Sequence, residues 1–282
     1  MVILHAFAFP RSPRHDPPFL SIASRSNGGM FVHRWRAKSP GIVSCISDGR
    51  DTSAKLEKKR KVVEHLCLLK AKEDLSKEEE KDMLDYLYTS QYQMRGIVAI
   101  SLGNISDRNE GDYTHALYMR FQRKEDLEKF YENPFFLKVL QEHVTPYCHG
   151  LINVDYESEV EDDILPIFRK GEEFNYGEEF VLLIAFAENA SDEHIKDALK
   201  SFRILTASSP SLIVQSTIGS NLNGRGKEFT HAAVVRFRSL EAWEIFLGGS
   251  EYKNVWGSKF EPIIEKAVGL HFSVDPVGTD IM

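Results

Sequence analysis

One nine-residue stretch occurs twice in this sequence and constrains the fold more than any other feature. Residues 113–121 read YTHALYMRF, and residues 229–237 read FTHAAVVRF. Both copies carry an aromatic residue, then Thr-His, then apolar residues and finally Arg-Phe, and both alternate with the period of two that is typical of a β-strand. Each copy holds one histidine, His115 or His231, on a face that is otherwise apolar. We therefore predict two similar halves, each with a buried strand that carries one histidine.

The segments around the two copies follow the same order. In the first half a helix begins after Ser76, whose hydroxyl can form a capping box with the Glu79 carboxylate. In the second half Ser191 caps the corresponding helix. A further helix follows each Thr-His strand, and Asn133 and Pro134 break the one in the first half. The predicted strands cover residues 62–70, 96–103, 113–121 and 151–156 in the first half, and residues 180–186, 212–219, 229–237 and a closing segment near 274 in the second.

The spacing between the halves indicates a duplication. His115 and His231 lie 116 residues apart. A Val-Asp pair at residues 154–155 recurs at residues 274–275, which predicts that the spacing grows to 120 at the closing strand. A spacing that stays nearly constant over most of a half is typical of an internal repeat.

The order of strands and helices in each half predicts an α+β fold of the ferredoxin-like β-α-β-β-α-β kind. The sheet of such a fold carries helices on one face only. The other face of such a sheet needs a partner. Because the chain holds two units, we predict that the tandem ferredoxin-like units pack as an intramolecular dimeric α/β barrel, while further oligomerisation stays open. The predicted domains are residues 60–157 and 178–276, joined by a linker at residues 158–177. The acidic run at residues 157–163 is interpreted as solvated, with attraction of cations as the alternative.

The composition limits the possible partners. The net charge of -7 and the pI near 5.8 disfavour nucleic acid, because affinity for nucleic acid depends on clustered Lys and Arg. We expect no membrane span, because no apolar run approaches the roughly 18 to 20 residues that cross a bilayer. Cys45, Cys67 and Cys148 are too few and too scattered for a disulfide framework or a zinc site, and they suit a reducing compartment.

The first 55 residues differ from the rest of the chain. Arginines lie among many serines, and Asp16 is the only acidic residue before Asp48. This composition is typical of an organelle transit peptide, with a disordered tail as the alternative. The uncharged start and the early prolines favour the chloroplast, with the mitochondrion and the cytosol as alternatives.

Taken together, these motifs resemble a known family. The strand VEHLCLLK with its capped helix, the strand YTHALYMRF, the helix that ends at Asn133 and Pro134, and the closing INVDY are similar to the stress-response A/B barrel (Dabb) domain. The plant form with two domains is the most similar. The resemblance implies a dimeric α+β barrel and a role in plant stress or defence, and it implies no particular reaction.

Some relatives in that family are catalysts. A plant polyketide cyclase uses a Tyr and a His, on the helices after the Thr-His strand, as a general acid and base. Alignment through residues 133–134 places Phe130 and Phe136 at those positions in the first half, and Phe246 and Tyr252 in the second. Phenylalanine cannot transfer a proton, and a tyrosine with an ordinary pKa near 10 and no evident base beside it is poorly suited to the task. The resemblance therefore does not extend the cyclase chemistry to this chain.

The candidate site residues are histidines. His65 lies in the first strand and His115 in the third, both near the start of a strand, and the fold places these two strands side by side. We predict that the imidazoles face each other across roughly 5 Å, where they share a proton or line a ligand pocket. His231 has Phe180 opposite it, so only the first half holds such a pair, and Tyr252 is a further candidate for a ligand pocket. The alternative is that these are core histidines bonded to a backbone carbonyl or to Tyr113.

The resemblance also implies a cation site. Members of the family can hold Mg²⁺ with backbone carbonyls at the end of the first helix, where unpaired C=O groups and the negative end of the helix dipole meet. An ordinary frayed helix end is the alternative. The matching positions lie near Gln91, Met94 and Ile97, and near Ala207, Pro210 and Ile213.

Two functions follow from the sequence. The first is a non-catalytic stress-response barrel protein that binds a small apolar ligand or a protein partner. The second is a cofactor-free enzyme, similar to the polyketide cyclase, that uses His65 and His115. An open cavity beside His115 favours the enzyme. A space filled by Leu87, Phe130 and Phe136 favours the binding protein.

Overall fold

The structure, a computed structural model, describes residues 59–105, 111–161, 177–223 and 228–274. The first half contains β1 (Lys59–Ala71), α1 (Lys77–Gln93), β2 (Ile97–Asn104), β3 (His115–Phe121), α2 (Lys124–Tyr131), α3 (Pro134–Val139) with a π-helical turn at Leu140–Val144, and β4 (Cys148–Glu161). The second half contains β5 (Glu178–Phe186), α4 (Asp192–Ala207), β6 (Ile213–Ser220), β7 (His231–Phe237), α5 (Leu240–Gly248), α6 (Ser250–Val255) with a π-helical turn at Trp256–Phe260, and β8 (Ile264–Ser273). The predicted order of elements is confirmed in both halves. The predicted targeting segment, residues 1–55, lies outside the described ranges.

Both halves form a four-stranded antiparallel sheet, with strand orders β2-β3-β1-β4 and β6-β7-β5-β8. The predicted helix starts are confirmed. The Ser76 hydroxyl accepts from the Glu79 amide at 3.2 Å, and the Glu79 carboxylate accepts from the Ser76 amide at 3.0 Å. At the start of α4 the Ser191 hydroxyl accepts from the His194 amide at 3.3 Å. Both serines thus satisfy an amide that the first helical turn leaves unpaired. No helix within the described ranges is both long and apolar enough to cross a membrane.

The strand register relates the two halves directly. His65 pairs with Asp155 between β1 and β4, and Phe180 pairs with His271 between β5 and β8. Asp155 and His271 are therefore equivalent, and they lie 116 residues apart. The predicted increase of the spacing to 120 is wrong, because strand pairing holds the closing strands at the same offset as the Thr-His strands.

The two sheets pack face to face. Their helix-covered sides form two separate apolar clusters, one in each half. Their other sides share a single cluster, which includes Leu66, Tyr118 and Tyr156 from the first half and Val181, Val234 and Phe272 from the second. Isolated bridges connect Tyr156 with Asn221 and Ile105 with Phe272. The β4 edge of the first sheet therefore meets the β6 edge of the second, and the β2 edge meets the β8 edge. This arrangement agrees with the predicted pairing of the two units within the chain.

A glycine makes each of these edge contacts possible. A Cβ atom on Gly103 in β2 would lie 2.5 Å from the Ser273 carbonyl oxygen. A Cβ atom on Gly219 in β6 would lie 2.6 Å from the Glu157 carbonyl oxygen. Both distances are too short for a non-bonded contact, so the close approach of the backbones requires a residue without a side chain. The two glycines occupy equivalent positions, and both edges therefore depend on the same feature.

The face between the sheets also holds two buried ion pairs. In the first half Arg120 donates to Glu64 at 2.8 Å, and neither side chain is more than 1% exposed. The Glu64 carboxylate also accepts from the hydroxyls of Tyr118 at 2.7 Å and Ser158 at 3.0 Å. These bonds satisfy the buried carboxylate, as the low-dielectric interior requires.

The equivalent pair in the second half joins Arg236 to Glu179. The Ser101 hydroxyl of the first half donates to Glu179 at 2.5 Å, so this network crosses between the halves. The sequence contains a signal for both pairs that the predictions did not use. Each copy of the nine-residue stretch places its Arg on the face opposite its histidine, and a glutamate directly precedes both His65 and Phe180.

The predicted linker begins too early. Strand β4 continues to Glu161, and its pairing with β1 places Glu157 opposite Val63 and Glu161 opposite Lys59. Val160 lies buried between the more exposed acidic positions. Residues 158–161 are therefore strand rather than solvated linker, because Val160 is buried and the acidic strand end pairs with the basic start of β1. Residues 162–176 lie outside the described ranges.

Candidate functional site

The two candidate histidines of the first half lie apart. Strands β1 and β3 run antiparallel, with His65 opposite Met119 and His115 opposite Leu69. Four residues along a strand correspond to roughly 13 Å. The predicted approach of the two imidazoles to roughly 5 Å is therefore wrong. The reason is that the start of one antiparallel strand lies beside the end of its neighbour.

His65 belongs to a buried polar cluster on the helix-covered side of the first sheet. Its Nδ1 lies 2.7 Å from Asp155 Oδ1 and 3.2 Å from the Tyr131 hydroxyl. That hydroxyl donates to Asp155 Oδ2 at 2.8 Å. The Asn223 side-chain amide, from the turn after β6, donates to the same oxygen at 3.1 Å. The Asp155 carboxylate therefore joins the two halves, and it favours the His65 tautomer that carries its proton on Nδ1.

Aromatic rings surround the remainder of the His65 imidazole. The ring centroids of Phe130, Tyr131 and Phe121 lie 5.3, 5.6 and 6.4 Å from that of His65. A histidine held by a carboxylate at Nδ1 is a suitable general base at Nε2 when a substrate can reach it. The His65 side chain is only 1% exposed. The surroundings therefore favour a structural role for His65 over proton transfer to a ligand.

His115 has different partners. Its Nε2 lies 2.8 Å from Glu80 Oε1 on α1, and its Nδ1 lies 2.8 Å from the Thr114 hydroxyl. The Asn104 side-chain amide donates to the same Glu80 oxygen at 3.0 Å. His115 thus connects the start of β3 to α1. This arrangement matches the alternative of a core histidine with satisfied nitrogens, although its partners are side chains rather than a backbone carbonyl.

Side chains fill the space between the helices and the sheet of the first half. Leu87, Phe130 and Phe136 are all buried in one apolar cluster. The ring centroids of the two phenylalanines lie only 3.9 Å apart. A filled space is the condition that favours the binding protein over the cyclase-like enzyme.

His231 occupies the position equivalent to His115 but has two hydroxyl partners in place of a carboxylate. Its Nδ1 lies 3.0 Å from the Thr230 hydroxyl, and its Nε2 lies 3.0 Å from the Ser220 hydroxyl. Burial, and after it the positive charge of Arg203, lowers the pKa of His231 from 6.5 to about 4. The imidazole is therefore neutral at neutral pH.

The lowered pKa of His231 predicts a loss of stability in acid. The unfolded chain takes up this proton near pH 6.5, whereas the folded chain takes it up only near pH 4. Between these values the unfolded state binds more protons, so the free energy of unfolding falls as the pH falls from about 6.5 to about 4. His231→Gln should flatten this part of the stability curve measured by chemical denaturation, and His149→Gln, at an exposed position, should not. An unaltered curve in the His231 variant would contradict the assignment.

An open cleft lies in the second half, between the end of α4 and the α5–α6 pair, and we refer to it as the second-half cleft. Its volume is about 230 Å³. The lining residues include the apolar Leu205, Leu212, Ile245 and Phe246 and the polar Glu251 and Tyr252. Burial raises the pKa of Tyr252 to about 12, so its hydroxyl stays protonated at neutral pH. Of the four predicted pocket residues, Tyr252 lines this cleft, and His65, His115 and His231 are not among its lining residues.

The carbonyls predicted to hold Mg²⁺ lie at the ends of α1 and α4. Met94 caps α1 with an extended backbone, and Ala207 is the last residue of α4. The Pro210 carbonyl oxygen accepts from the Arg238 guanidinium at 3.4 Å, so a positive charge already lies beside it. Within the described ranges, no group of three or more His, Cys, Asp or Glu side chains is arranged to hold a metal ion. Magnesium binding stays a prediction for the carbonyls of Gln91, Met94 and Ile97, and of Ala207, Pro210 and Ile213.

Several polar partners were not predicted from the sequence. Asp155 stands in the predicted closing strand and Tyr131 in the predicted helix after the Thr-His strand. The periodicity of these two segments does not show that either residue contacts His65. In the second half His271 takes the place of Asp155, bonds to Glu178 and lies against Trp243 with the ring centroids 4.0 Å apart. The two halves therefore share their backbone but differ in the polar groups beneath their helices.

Comparison with known proteins now identifies the family. Residues 63–158 and 181–274 each match the family model of the Stress responsive A/B Barrel Domain. The chain therefore belongs to this family, with two copies of the domain in tandem. It is 25% identical over 217 residues to a stress-response A/B barrel domain-containing protein of Arabidopsis thaliana, a match that covers 76% of this chain and 79% of the Arabidopsis protein.

Solved structures share the fold over both halves. An anthrone oxidase-like protein has a TM-score of 0.55 and 11% identity, covering 77% of this chain and 92% of that protein. A candidate monooxygenase from Fusobacterium nucleatum has a TM-score of 0.53 and 8% identity, covering 77% of this chain and 93% of that protein. Likeness at such low identity shows a shared fold and carries no reaction over to this chain.

Proposed function

We propose that this protein is a non-catalytic binding protein of plant stress response or defence, and that its second-half cleft binds a small apolar molecule. The observation that carries the proposal is the contrast between the halves. The helix–sheet space of the first half is filled by Phe130 and Phe136. The second half keeps an open cleft in which apolar side chains stand beside the polar residues Ser209, Ser250, Glu251 and Tyr252. A concave site in which apolar side chains stand beside polar ones can orient a small ligand.

The size of the cleft bounds the ligand. A volume of about 230 Å³ lies below the roughly 300 to 1,000 Å³ of sites that take drug-sized molecules. The cleft therefore suits a molecule of one or two small rings. Phe246 and Tyr252 both line the cleft with their ring centroids 5.5 Å apart, and Tyr252, the less buried of the two, offers aromatic surface to such a ligand.

The chemistry of the cleft supports binding more than catalysis. A general base or acid works best when its pKa lies near the operating pH. Burial moves the pKa of Tyr252 to about 12, which is away from neutrality. The alternative, a cofactor-free enzyme that uses His65 and His115 together, has lost its geometric basis because the register separates the two residues. We further propose, on composition alone, that residues 1–55 direct the protein to the chloroplast.

Filling the second-half cleft should weaken the binding of a small aromatic ligand. Indole is a suitable probe, because it is neutral, aromatic and small enough for the cleft. Ser209 lines the cleft, whereas its neighbour Ser208 caps α4 and is not among the lining residues. We expect Ser209→Phe to weaken indole binding by at least about tenfold, or ~1.4 kcal/mol, in calorimetric titrations of the full chain.

The matched control is Ser208→Phe, which adds the same ring to the same helix end outside the cleft. It should leave the affinity for indole within about twofold. Equal affinity in the wild type and in Ser209→Phe would show that indole binds elsewhere, and no binding to the wild type would remove the proposed function.

A further inference from the structure

We propose that Tyr252 keeps the second-half cleft open, because its hydroxyl has to reach water and its ring therefore cannot pack fully onto Phe246. The inference rests on the proposed function for its binding tests, and it adds the residue that decides whether a half of this protein has a ligand site. The evidence comes from a comparison of the two halves, which share the same order of elements and differ at this position.

The two halves hold the same pair of aromatic positions. Phe246 lies in α5 and Tyr252 in α6, and the equivalent residues, 116 positions earlier, are Phe130 in α2 and Phe136 in α3. In the first half the two ring centroids lie 3.9 Å apart. In the second half they lie 5.5 Å apart. The ring pair is therefore closed where both residues are phenylalanine and open where one is tyrosine.

The burial of the second ring differs in the same direction. Phe136 is 4% exposed and belongs to the apolar cluster of the first half. Tyr252 is partly exposed and packs against the outside of the corresponding cluster in the second half. Its ring thus stops short of the depth that Phe136 reaches, and Tyr252 lines the second-half cleft.

The hydroxyl group accounts for this difference. Within the described ranges no protein group forms a hydrogen bond with the Tyr252 hydroxyl, and this oxygen is not one of the buried polar atoms that lack a partner there. The hydroxyl therefore bonds to solvent. At the depth of Phe136 it would lose that solvent and gain no protein partner, which costs free energy. A phenylalanine bears no such cost.

A second ring also contacts Tyr252. The Trp256 ring, one helical turn further along, lies nearly parallel to the Tyr252 ring, with the centroids 6.2 Å apart. The equivalent residue in the first half is Leu140. Stacking on Trp256 would hold a phenylalanine as well as a tyrosine. An experiment on Tyr252 therefore has to separate the effect of the hydroxyl from that of the ring.

Tyr252→Phe removes only the hydroxyl, and a crystal structure of this variant tests the inference without any ligand. We expect the new phenylalanine to pack onto Phe246 and close the cleft, with a centroid distance near the 3.9 Å of the first half. A distance that stays near 5.5 Å would overturn the inference and assign the open position to Trp256.

Two ligands of the same shape separate closure of the cleft from a lost hydrogen bond. Indole carries an N–H group, and indene is its hydrocarbon analogue. If the cleft closes, Tyr252→Phe should weaken the binding of both by at least about tenfold in titrations of the full chain. Loss of indole alone, with indene bound as before, would contradict closure. Tyr147→Phe, at a partly buried tyrosine of the first half, is the matched control and should leave both affinities unchanged.

The reverse exchange, Phe136→Tyr, places a hydroxyl at the equivalent position of the first half. We expect the ring pair there to open and indole to bind at two sites per chain in place of one. A single site, with the first-half rings still 3.9 Å apart, would overturn the inference. If the wild type binds neither indole nor indene, the proposed function fails, and the ring distance in Tyr252→Phe still decides this inference.

Discussion

Replacing Arg120 by methionine is expected to lower the free energy of unfolding by about 3 to 5 kcal/mol, the cost of leaving a buried charge without its partner. Methionine keeps most of the volume but leaves the Glu64 carboxylate, which is fully buried, without the guanidinium that lies 2.8 Å away. The two hydroxyl donors of Tyr118 and Ser158 remain, but they cannot neutralise the charge. Chemical denaturation of Arg120→Met at neutral pH measures the loss.

The matched control is Arg123→Met. Arg123 is 70% exposed and lies 3.8 Å from Asp126, so its ion pair contributes at most about 1 kcal/mol. The double variant Glu64→Leu/Arg120→Met removes both charges and should recover part of the stability. Equal, small effects of Arg120→Met and Arg123→Met would mean that the Glu64 pair is not buried between the sheets.

Adding one methyl group at either sheet edge should also destabilise the protein strongly. The new Cβ in Gly219→Ala would lie 2.6 Å from a backbone oxygen, and in Gly103→Ala 2.5 Å. Because backbone cannot move aside as a flexible side chain can, we expect each substitution to cost about 3 kcal/mol. The midpoint of thermal unfolding, followed by circular dichroism, should fall in both variants.

Gly150→Ala provides the comparison. Gly150 also lies in an edge strand, β4, but nothing lies within 4 Å of the position that its Cβ would take. This variant should be neutral or slightly stabilising, since alanine reduces the freedom of the unfolded chain. If all three alanine variants unfold at the same temperature, the edges of the two sheets do not meet as described.

The repeated stretch was sufficient to predict the fold, because a duplicated β-α-β-β-α-β pattern leaves one apolar face on each sheet and supplies its partner in the same chain. It was not sufficient to predict the histidine pair. His65 and His115 both stand near the start of a strand in the sequence. Only the antiparallel register shows that the starts of β1 and β3 lie at opposite ends of the two paired strands. A correct list of strands can therefore give a wrong site.

Two other features could have been found from the sequence. The acidic residues from Glu157 to Glu161 alternate with Ser158 and Val160, which is a strand pattern, but their charge suggested a linker. The repeated Arg of the Thr-His stretch, with a glutamate before His65, indicated a buried ion pair. Either charge alone would disfavour burial, whereas the Arg and Glu together can be buried as a hydrogen-bonded pair.

Contacts between the halves could not be predicted in this way. Asn223 reaches Asp155 because the second sheet packs on the first, and no local pattern records that approach. The open second-half cleft likewise depends on how α4 packs against α5 and α6. Such contacts follow from the relative placement of complete units, which sequence periodicity does not encode.

The central claim is that ligands bind in the second-half cleft and that the filled first half does not bind them. The most direct test is a titration of the full chain with indole, followed through the methyl NMR signals of isoleucine and leucine. The account predicts shifts at Leu205, Leu212 and Ile245, with Leu87 and Leu127 of the first half unchanged. Shifts confined to Leu87 and Leu127, or no shifts at any of these methyl groups, would contradict it.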